Sequence, residues 1–451
     1  MRGFIPGADR ETRRMLDAIG VGSFEDLLAD IPEDLRFKGS LKLPGPVSEM
    51  EVGKILGGLA SKNASAAGWT CFLGGGAYDH FIPSVVDHIT SRSEFATAYT
   101  PYQPEVSQGT LQSIFEYQSM IARLTGMEIA NASLYDGGSA IAEAVLMANA
   151  TNRKKQIVVS GCINPFRLQV LRSYLRATGF EIKVTGSGKG VTDPGEIADL
   201  AGPDTSCVVL ENPNFFGIVE DAAAIGRAAH EHGALLIASV DPVSLGLLAA
   251  PSSYGADIVV GEGQALGTPL SYGGPYLGFM ATRKEHVRRL PGRIVGRTVD
   301  AAGKTCYCLT LQTREQHIRR ERATSNICTN QALVALRAAV YLAWLGKQGL
   351  SELARLCLSK ASYARDRLVE NGFSLRFDRP FFREFAVDLP VPAARMAERL
   401  AESKVLGGLP LGDIYPGFEN SMLIAFTEKR TREEIDNLVA LMKKAANEET
   451  S

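Results

Sequence analysis

The chain has 451 residues, 45% hydrophobic and 22% charged, with a formal net charge of −2. This is ordinary globular composition, long enough for two or three domains and not that of a disordered chain. The near-neutral charge gives no electrostatic footprint for nucleic acid or a membrane surface, and no apolar run reaches the roughly 20 residues of a membrane span. The N-terminal stretch has no apolar signal core, and the seven cysteines are scattered. Both features predict a reduced, cytoplasmic protein. Cys306 and Cys308 are the only close pair, and their spacing suits alternate residues of a strand better than a metal site.

In chain order, residues 1–65 read as an attached helical segment. Asp9 is placed to cap a helix through Met15 and Ile19. Ser48 and Glu51 form a capping-box pattern ahead of Val52, Ile55, Leu56 and Leu59, which share one helical face. Residues 66–335 read as the main domain. Helices are expected over 110–124 and 141–150. Apolar runs predict strands over 156–160, 181–185, 207–210, 235–240 and 257–260, alternating with helices near 165–178, 193–201 and 221–232. Strands separated by helices pair in parallel through right-handed crossovers. The apolar run 274–282 follows its predecessor too closely for a helical crossover, which predicts an antiparallel neighbour. Residues 336–451 read as a smaller α+β domain, with helices near 350–371, 392–403 and 431–446 and strands near 373–377, 383–388 and 422–427. Thr431 and Glu434 make a second capping box before Ile435, Leu438, Val439 and Met442.

In an open parallel sheet, ligands bind beyond the carboxyl ends of the strands. Asn212-Pro213-Asn214, Asp241-Pro242 and Glu262-Gly263-Gln264 fall there. The layout is the one used by large pyridoxal-phosphate (PLP) enzymes. Asp241 stands where those enzymes hold the pyridine nitrogen with a carboxylate, and it equally suits a turn, since Asp-Pro is a common turn starter. Residues 261–265 stand where they place the Schiff-base lysine, and this stretch contains no amine. Lys284 lies in a charged cluster, while Lys189 and Lys304 sit in glycine-bearing loops. None has the desolvated setting that a Schiff-base lysine requires. Asp136-Gly137-Gly138-Ser139 has the shape of a phosphate cup, with Ser139 at the start of a helix. It also fits a plain tight turn, because Asp136 adds negative charge with no sequence neighbour to offset it.

Two stretches are unusual for ordinary core or surface. Residues 99–109 combine Tyr99, Tyr102, Gln103 and Glu105 with two prolines. Residues 311–321 crowd Arg314, Glu315, His317 and Arg319 together, and 323–328 follow. The second stretch reads either as a solvated helix with i,i+4 pairs such as Glu315–Arg319, or as a buried polar network at an interface.

These two stretches, together with 128–134 and Pro291-Gly292-Arg293-Ile294-Val295-Gly296, closely resemble the glycine-cleavage P-protein family. The likeness spans nearly the whole chain and is narrowest with the N-terminal-half subunit of the two-subunit form. It implies the aminotransferase-like fold type I of PLP enzymes, an α/β class with a large, mostly parallel seven-stranded sheet domain and a small C-terminal α+β domain. It also implies an α2β2 assembly whose other subunit carries PLP on a lysine that falls at Gln264 here, when the halves are aligned through Thr268-Pro269 and Gly273-Gly274-Pro275. The implied activity is that of a decarboxylating glycine dehydrogenase. Glycine is decarboxylated and its aminomethyl group passes to the lipoyl arm of the H-protein, whose disulfide is reduced. This chain is then expected to complete the partner's site, with no catalytic residue of its own and no metal. Tyr78, Asp79 and His80, beside the glycine loop 74–76, and Tyr99, Tyr102, Gln103, Glu105, Arg314 and His317 are the candidates facing the partner's pocket or lipoyl channel. Asp241, Gln264 and Ser139 mark vestigial cofactor positions. A self-sufficient PLP enzyme of the desulfurase or aminotransferase type, and a non-catalytic scaffold or regulatory subunit, are the alternatives.

Overall fold

The computed structural model describes residues 9–323, 325–327 and 330–450, apart from the side chains of Asp9 and Thr450. The proposed Asp9 cap, and Thr324 and Cys328 of the 323–328 stretch, lie outside the described residues. The chain forms two compact units, Met1–Asn63 and Ala64–Ser451.

In the first unit, helices span Asp9–Ile19 and Glu49–Ala60. The capping box closes as expected: Glu51 N–H donates to Ser48 Oγ, and Ser48 N–H donates to Glu51 Oε2 at 2.9 Å. None of the described residues of this unit is buried, and Val52, Ile55, Leu56 and Leu59 keep their shared face exposed. Among the described residues the unit has no buried hydrophobic core.

The second unit is built on a sheet of seven strands among the described residues. In chain order they are β1 (Ile129–Ala130), β2 (Gln156–Val159), β3 (Glu181–Val184), β4 (Thr205–Asn212), β5 (Leu235–Val240), β6 (Ile258–Glu262) and β7 (Gly278–Thr282). Their spatial order is β1-β7-β6-β5-β4-β2-β3. Strands β3, β2, β4, β5 and β6 pair in parallel, whereas β7 runs antiparallel to both β6 and β1. The antiparallel neighbour expected from 274–282 is therefore β7. Alternate residues feed opposite faces, which is why the strands read as continuous apolar runs. Val158, Val208, Leu236 and Val259 pack into one core with Ile225 and Ala338. Ile157, Val209, Ile237 and Val260 pack into another with Ile141 and Val145.

A four-stranded antiparallel sheet follows, centred on Glu384–Asp388 and Ser421–Ala425. Helices Ala393–Glu402 and Arg432–Thr450 accompany it. The second capping box is present, Thr431 N–H donating to Glu434 Oε2 and Glu434 N–H to Thr431 Oγ1. One helical expectation needs correction. The helix expected near 350 begins at Ala332 and runs to Glu370, broken at Gly346 (φ +60). Its first half is apolar nearly all round and buries Val334, Ala335, Ala338 and Tyr341, so no amphipathic stripe announces it. Cys306 and Cys308 lie on the strand Thr305–Thr310, paired antiparallel with Ile294–Val299, in keeping with the strand reading. The stretch 311–322 is not a solvated helix. It folds as three short turns, Gln312–Arg314, Gln316–Arg319 and Arg320–Arg322.

Candidate functional site

The strand ends of β4, β5 and β6 carry Glu211, Asp241 and Glu262 toward one point, as the parallel topology requires. Each carboxylate already has protein partners there. Asp241 Oδ2 takes Arg383 Nη2 at 2.6 Å, and its Oδ1 accepts from Val243 N–H at 3.0 Å. Glu211 pairs with Arg167 at 2.7 Å and accepts from Asn164 N–H at 2.7 Å. Glu262 accepts three backbone N–H groups, from Gly137, Gln264 and Leu277, at 2.9–3.0 Å. Burial pushes the Glu211 and Glu262 carboxyls up. Arg167 opposes that rise at Glu211, and the backbone donors oppose it at Glu262.

Gln264 is buried beside them and its amide is committed. Oε1 accepts from Tyr78 N–H at 2.9 Å, while Nε2 donates to Tyr78 O at 3.0 Å and Thr268 O at 2.7 Å. The pattern fixes the amide orientation, since a flip would set N–H against N–H. Tyr78 is thereby pinned with its ring under Arg383, whose guanidinium carbon sits 3.3 Å from the ring centroid. The Tyr78 hydroxyl donates to Glu384 Oε1, and Glu384 Oε2 accepts from Gly75 N–H at 2.8 Å. Burial raises the Glu384 carboxyl to about 7. The glycines are required by this closeness. A Cβ on Gly74 would lie 2.3 Å from Glu384 Oε2 and 2.5 Å from Ala425 Cβ.

His80 continues the network. Arg383 Nη1 can only donate, so His80 Nε2 accepts, and His80 Nδ1–H donates to Glu428 Oε2 at 2.6 Å. His80, Cys357 and Glu428 place donor atoms within 4.8 Å of one another. A metal on Nδ1 would leave an imidazolate to serve Arg383, and burial pushes the Cys357 thiol up to about 12. The trio is a hydrogen-bond relay. Asp79 is gripped by Lys429 at 2.7 Å and Arg430 at 3.4 Å.

Ser139 is the third residue of a helix, Gly137–Asn152, capped by Asp136 in a reciprocal box with Ser139. Residues 136–139 thus form a tight turn that caps the helix. Space, unlike sequence, does supply an arginine here: Arg167 would lie 3.2 Å from a Cβ on Gly137. The residues present do not fit PLP. No amine stands at 264, Asp241 is already paired with a cation, and Glu262 takes the Gly137 amide a phosphate would use. The cavity among Tyr78, Asp241 and Arg383 is about 20 Å³, room for roughly one water, while an open cleft of about 410 Å³ lies over Gly137, Gly138 and Arg167. Beside it opens a chamber of about 560 Å³, lined by Leu73, Ala77, Phe81, Leu270, Tyr272 and Leu406 among others.

The other candidates assemble elsewhere on this unit. Tyr102 meets His317 edge-on at 6.1 Å between centroids, and the Arg293 guanidinium stands 5.7 Å over Tyr102. Arg314 donates to Leu290 O, and to Gly292 O at 2.7 Å, fixing the loop that carries Arg293. Glu315 is buried, which raises its carboxyl, and it faces His317 at 3.7 Å. Tyr99 and Val106 are 79% and 80% exposed, and Gln103 and Glu105 are exposed beside them.

Sequence reasoning missed Arg167, Glu211, Arg383, Glu384 and Glu428. One signal was present: Arg383-Glu384 is a charged pair directly ahead of the apolar run 385–387.

Comparison with known proteins accords with this geometry. A family model described as the glycine cleavage system P-protein matches residues 2–442. A probable glycine dehydrogenase (decarboxylating) subunit 1 of Chloroherpeton thalassium is 49% identical over 441 residues, covering 98% of this chain and 99% of the relative. A crystal structure of glycine decarboxylase (P-protein) of the glycine cleavage system, in inhibitor-bound form, superposes with TM-score 0.90 at 44% identity. It covers 98% of this chain and 99% of that one. A glutamate decarboxylase of Lactobacillus brevis, at 11% identity and TM-score 0.69 over 92% and 96% of the two chains, shares the fold alone. The fold is type I of the PLP enzymes, and the chain belongs to the glycine-cleavage P-protein family.

Proposed function

We propose that this chain is the cofactor-free subunit of a glycine-decarboxylating P-protein. In this reading a homologous partner carries PLP, and the lipoyl arm of an H-protein receives the aminomethyl group. The observation that carries it is the strand-end site, where Gln264 replaces an amine and Arg383 occupies the cofactor's carboxylate. A self-sufficient PLP enzyme would need that space and that lysine.

The proposed work of this chain is to shape and close the partner's chamber. Residues 74–82 are held on a rigid frame, and Tyr78, Asp79 and His80 serve that frame. Tyr99, Tyr102, Gln103 and Glu105, with Arg314 and His317 behind them, form the proposed contact face. Such a face excludes water and orients substrate without itself forming a bond. The division into 1–65, 66–335 and 336–451, with the last two as large and small domains, is part of this proposal. Among the described residues no helix is long and apolar enough to cross a membrane.

The test is reconstitution. This chain and a PLP-bearing homologue are produced alone and together, and glycine–bicarbonate exchange and the visible PLP band are measured. Activity and stable assembly are expected only for the pair, with the cofactor band assigned to the homologue. A yellow, exchange-competent preparation of this chain alone would refute the proposal.

A further inference from the structure

Three contacts a cofactor would make at the strand ends have been taken over by side chains of this protein. Arg383 supplies the cation facing Asp241, 2.6 Å away, and its guanidinium carbon sits 3.3 Å from the Tyr78 ring centroid. Glu262 supplies the anion facing the Gly137 amide at 2.9 Å. Gln264 fills the lysine position with an amide that grips both the N–H and the carbonyl of Tyr78. A lysine cannot hold the Tyr78 N–H, because an ammonium has no acceptor to offer it.

Two of the replacements, Gln264 and Arg383, converge on one loop, and Glu262 braces Gln264 through its backbone N–H at 3.0 Å. Tyr78 is held at its N–H, its carbonyl, its ring and its hydroxyl. Farther along, Thr427 Oγ1 donates to Asp79 O at 2.8 Å, and Phe81 N–H donates to Glu428 at 2.5 Å. The inner side of this loop is saturated, while its outer edge is bare. Phe81 is 57% exposed, and Tyr272, which lines the same chamber, is 74% exposed. A loop anchored so completely from within, with apolar side chains turned outward, is built to be presented rather than to move.

We infer that the superseded cofactor pocket is a clamp, and that Gln264 is a positioning residue that sets residues 74–82 against the partner's active site. The inference rests on the reading that the partner carries the cofactor. A related consequence is that returning a lysine to position 264 does not return PLP to this chain, since Arg383 and Glu262 still occupy its contacts.

The experiment uses the complex reconstituted with the PLP-bearing subunit and carrying Gln264→Ala, Gln264→Glu or Gln264→Lys. Assembly is read by sizing, cofactor content by absorbance, and kcat and KM by glycine–bicarbonate exchange. In assembled complexes with unchanged PLP content, Gln264→Ala is expected to lower kcat on the order of tenfold or more, the scale of a small misplacement of positioning groups. Gln264→Glu, which when protonated keeps the acceptor and one of the two donors, loses less. Should the alanine variant not assemble, the same comparison is made with the glutamate variant. Borohydride reduction of the Gln264→Lys complex should fix PLP to the partner alone. Unchanged kcat and KM in the assembled variants would overturn the positioning role, and PLP fixed to position 264 would overturn the filled-pocket argument. An inactive wild-type complex would sink the partner reading instead, which keeps the two failures apart.

Discussion

The strand-end network and the face around Tyr99 and Tyr102 are opposites in physical character. In the first, charged groups are buried and each meets an oppositely charged or hydrogen-bonding partner: Asp241 with Arg383, Glu211 with Arg167, His80 with Glu428. In the second, large rings stand in solvent, Tyr99 at 79% and Tyr102 at 51% exposure, backed by Arg293 and His317. A buried network in which most charged groups are paired contributes shape and fixes the frame around it. An exposed aromatic face contributes area that another surface can cover. The difference locates the two halves of the proposed role: precision inside, contact outside.

The sharpest way to separate the regions is to remove one cation. Arg383→Met strips the buried partner from Asp241, the acceptor's donor from His80 and the cation from the Tyr78 ring. Breaking a buried pair on one side costs about 3–5 kcal/mol. That loss should appear as a lower urea midpoint for the chain. Tyr99→Ala, on the open face, should shift stability by less than about 0.5 kcal/mol. Equal shifts for the two variants would erase the distinction drawn here.

A second test uses protons. Burial holds the Glu384 carboxyl at about 7, although the Tyr78 hydroxyl and the Gly75 amide favour its ionised form. An unfolded carboxyl titrates near 4.5, so between the two values the folded chain holds a proton that the unfolded chain has released. The contribution is therefore complete below about 4.5 and is lost as pH rises toward 7, by about 3 kcal/mol in all. Glu384→Gln should flatten this descent in urea titrations across that range. Glu143, likewise raised to about 7 by burial, keeps its own share in the variant. Glu428 runs the other way. Burial raises its carboxyl, but the His80 contacts and the Phe81 amide outweigh burial and bring it to about 2. Its contribution is present above 4.5 and lost as pH falls toward 2. A wild-type profile with no decline between 4.5 and 7 would contradict the buried setting of Glu384.

Gly74→Ala probes the same frame without touching charge. The added methyl meets Glu384 and Ala425 inside contact distance, so about 1–3 kcal/mol of overpacking cost is expected. A corresponding loss of exchange activity in the complex would follow from the displaced Gly75–Glu384 contact.

The sequence made parts of this legible for definite reasons. Strands β2, β4, β5 and β6 are largely buried, so each is an apolar run bounded by turn residues and is visible locally. Gln264 was found the same way, because a strand end and a missing amine are both local facts. The side chains that fill the pocket were not legible, since Arg383 lies 142 positions from its partner Asp241 and no single sequence records that pairing. Residues 311–321 stayed open between two readings for a related reason. Their charges suggest i,i+4 pairs, yet Arg314 donates to the carbonyls of Leu290 and Gly292, which lie more than twenty positions away. The face itself was flagged only by composition, through two tyrosines and two prolines in a short span.

The smallest expected effect completes the contrast. Tyr102 touches His317 and Arg293 only at ring edges and faces, and half of it is exposed, so Tyr102→Ala should leave stability within about 0.5 kcal/mol. If the proposed face meets the partner, the same variant loses a rigid aromatic anchor, and truncating a central tyrosine costs more than about 1 kcal/mol of binding. Association with the PLP-bearing subunit should weaken by roughly tenfold, about 1.4 kcal/mol. Titrating the variant against the partner by calorimetry measures this directly. Tyr102→Phe keeps the ring and should bind nearly as the wild type does. A variant with unaltered affinity but reduced stability would place Tyr102 with the buried frame rather than the contact face, and the two regions would no longer divide the work as argued.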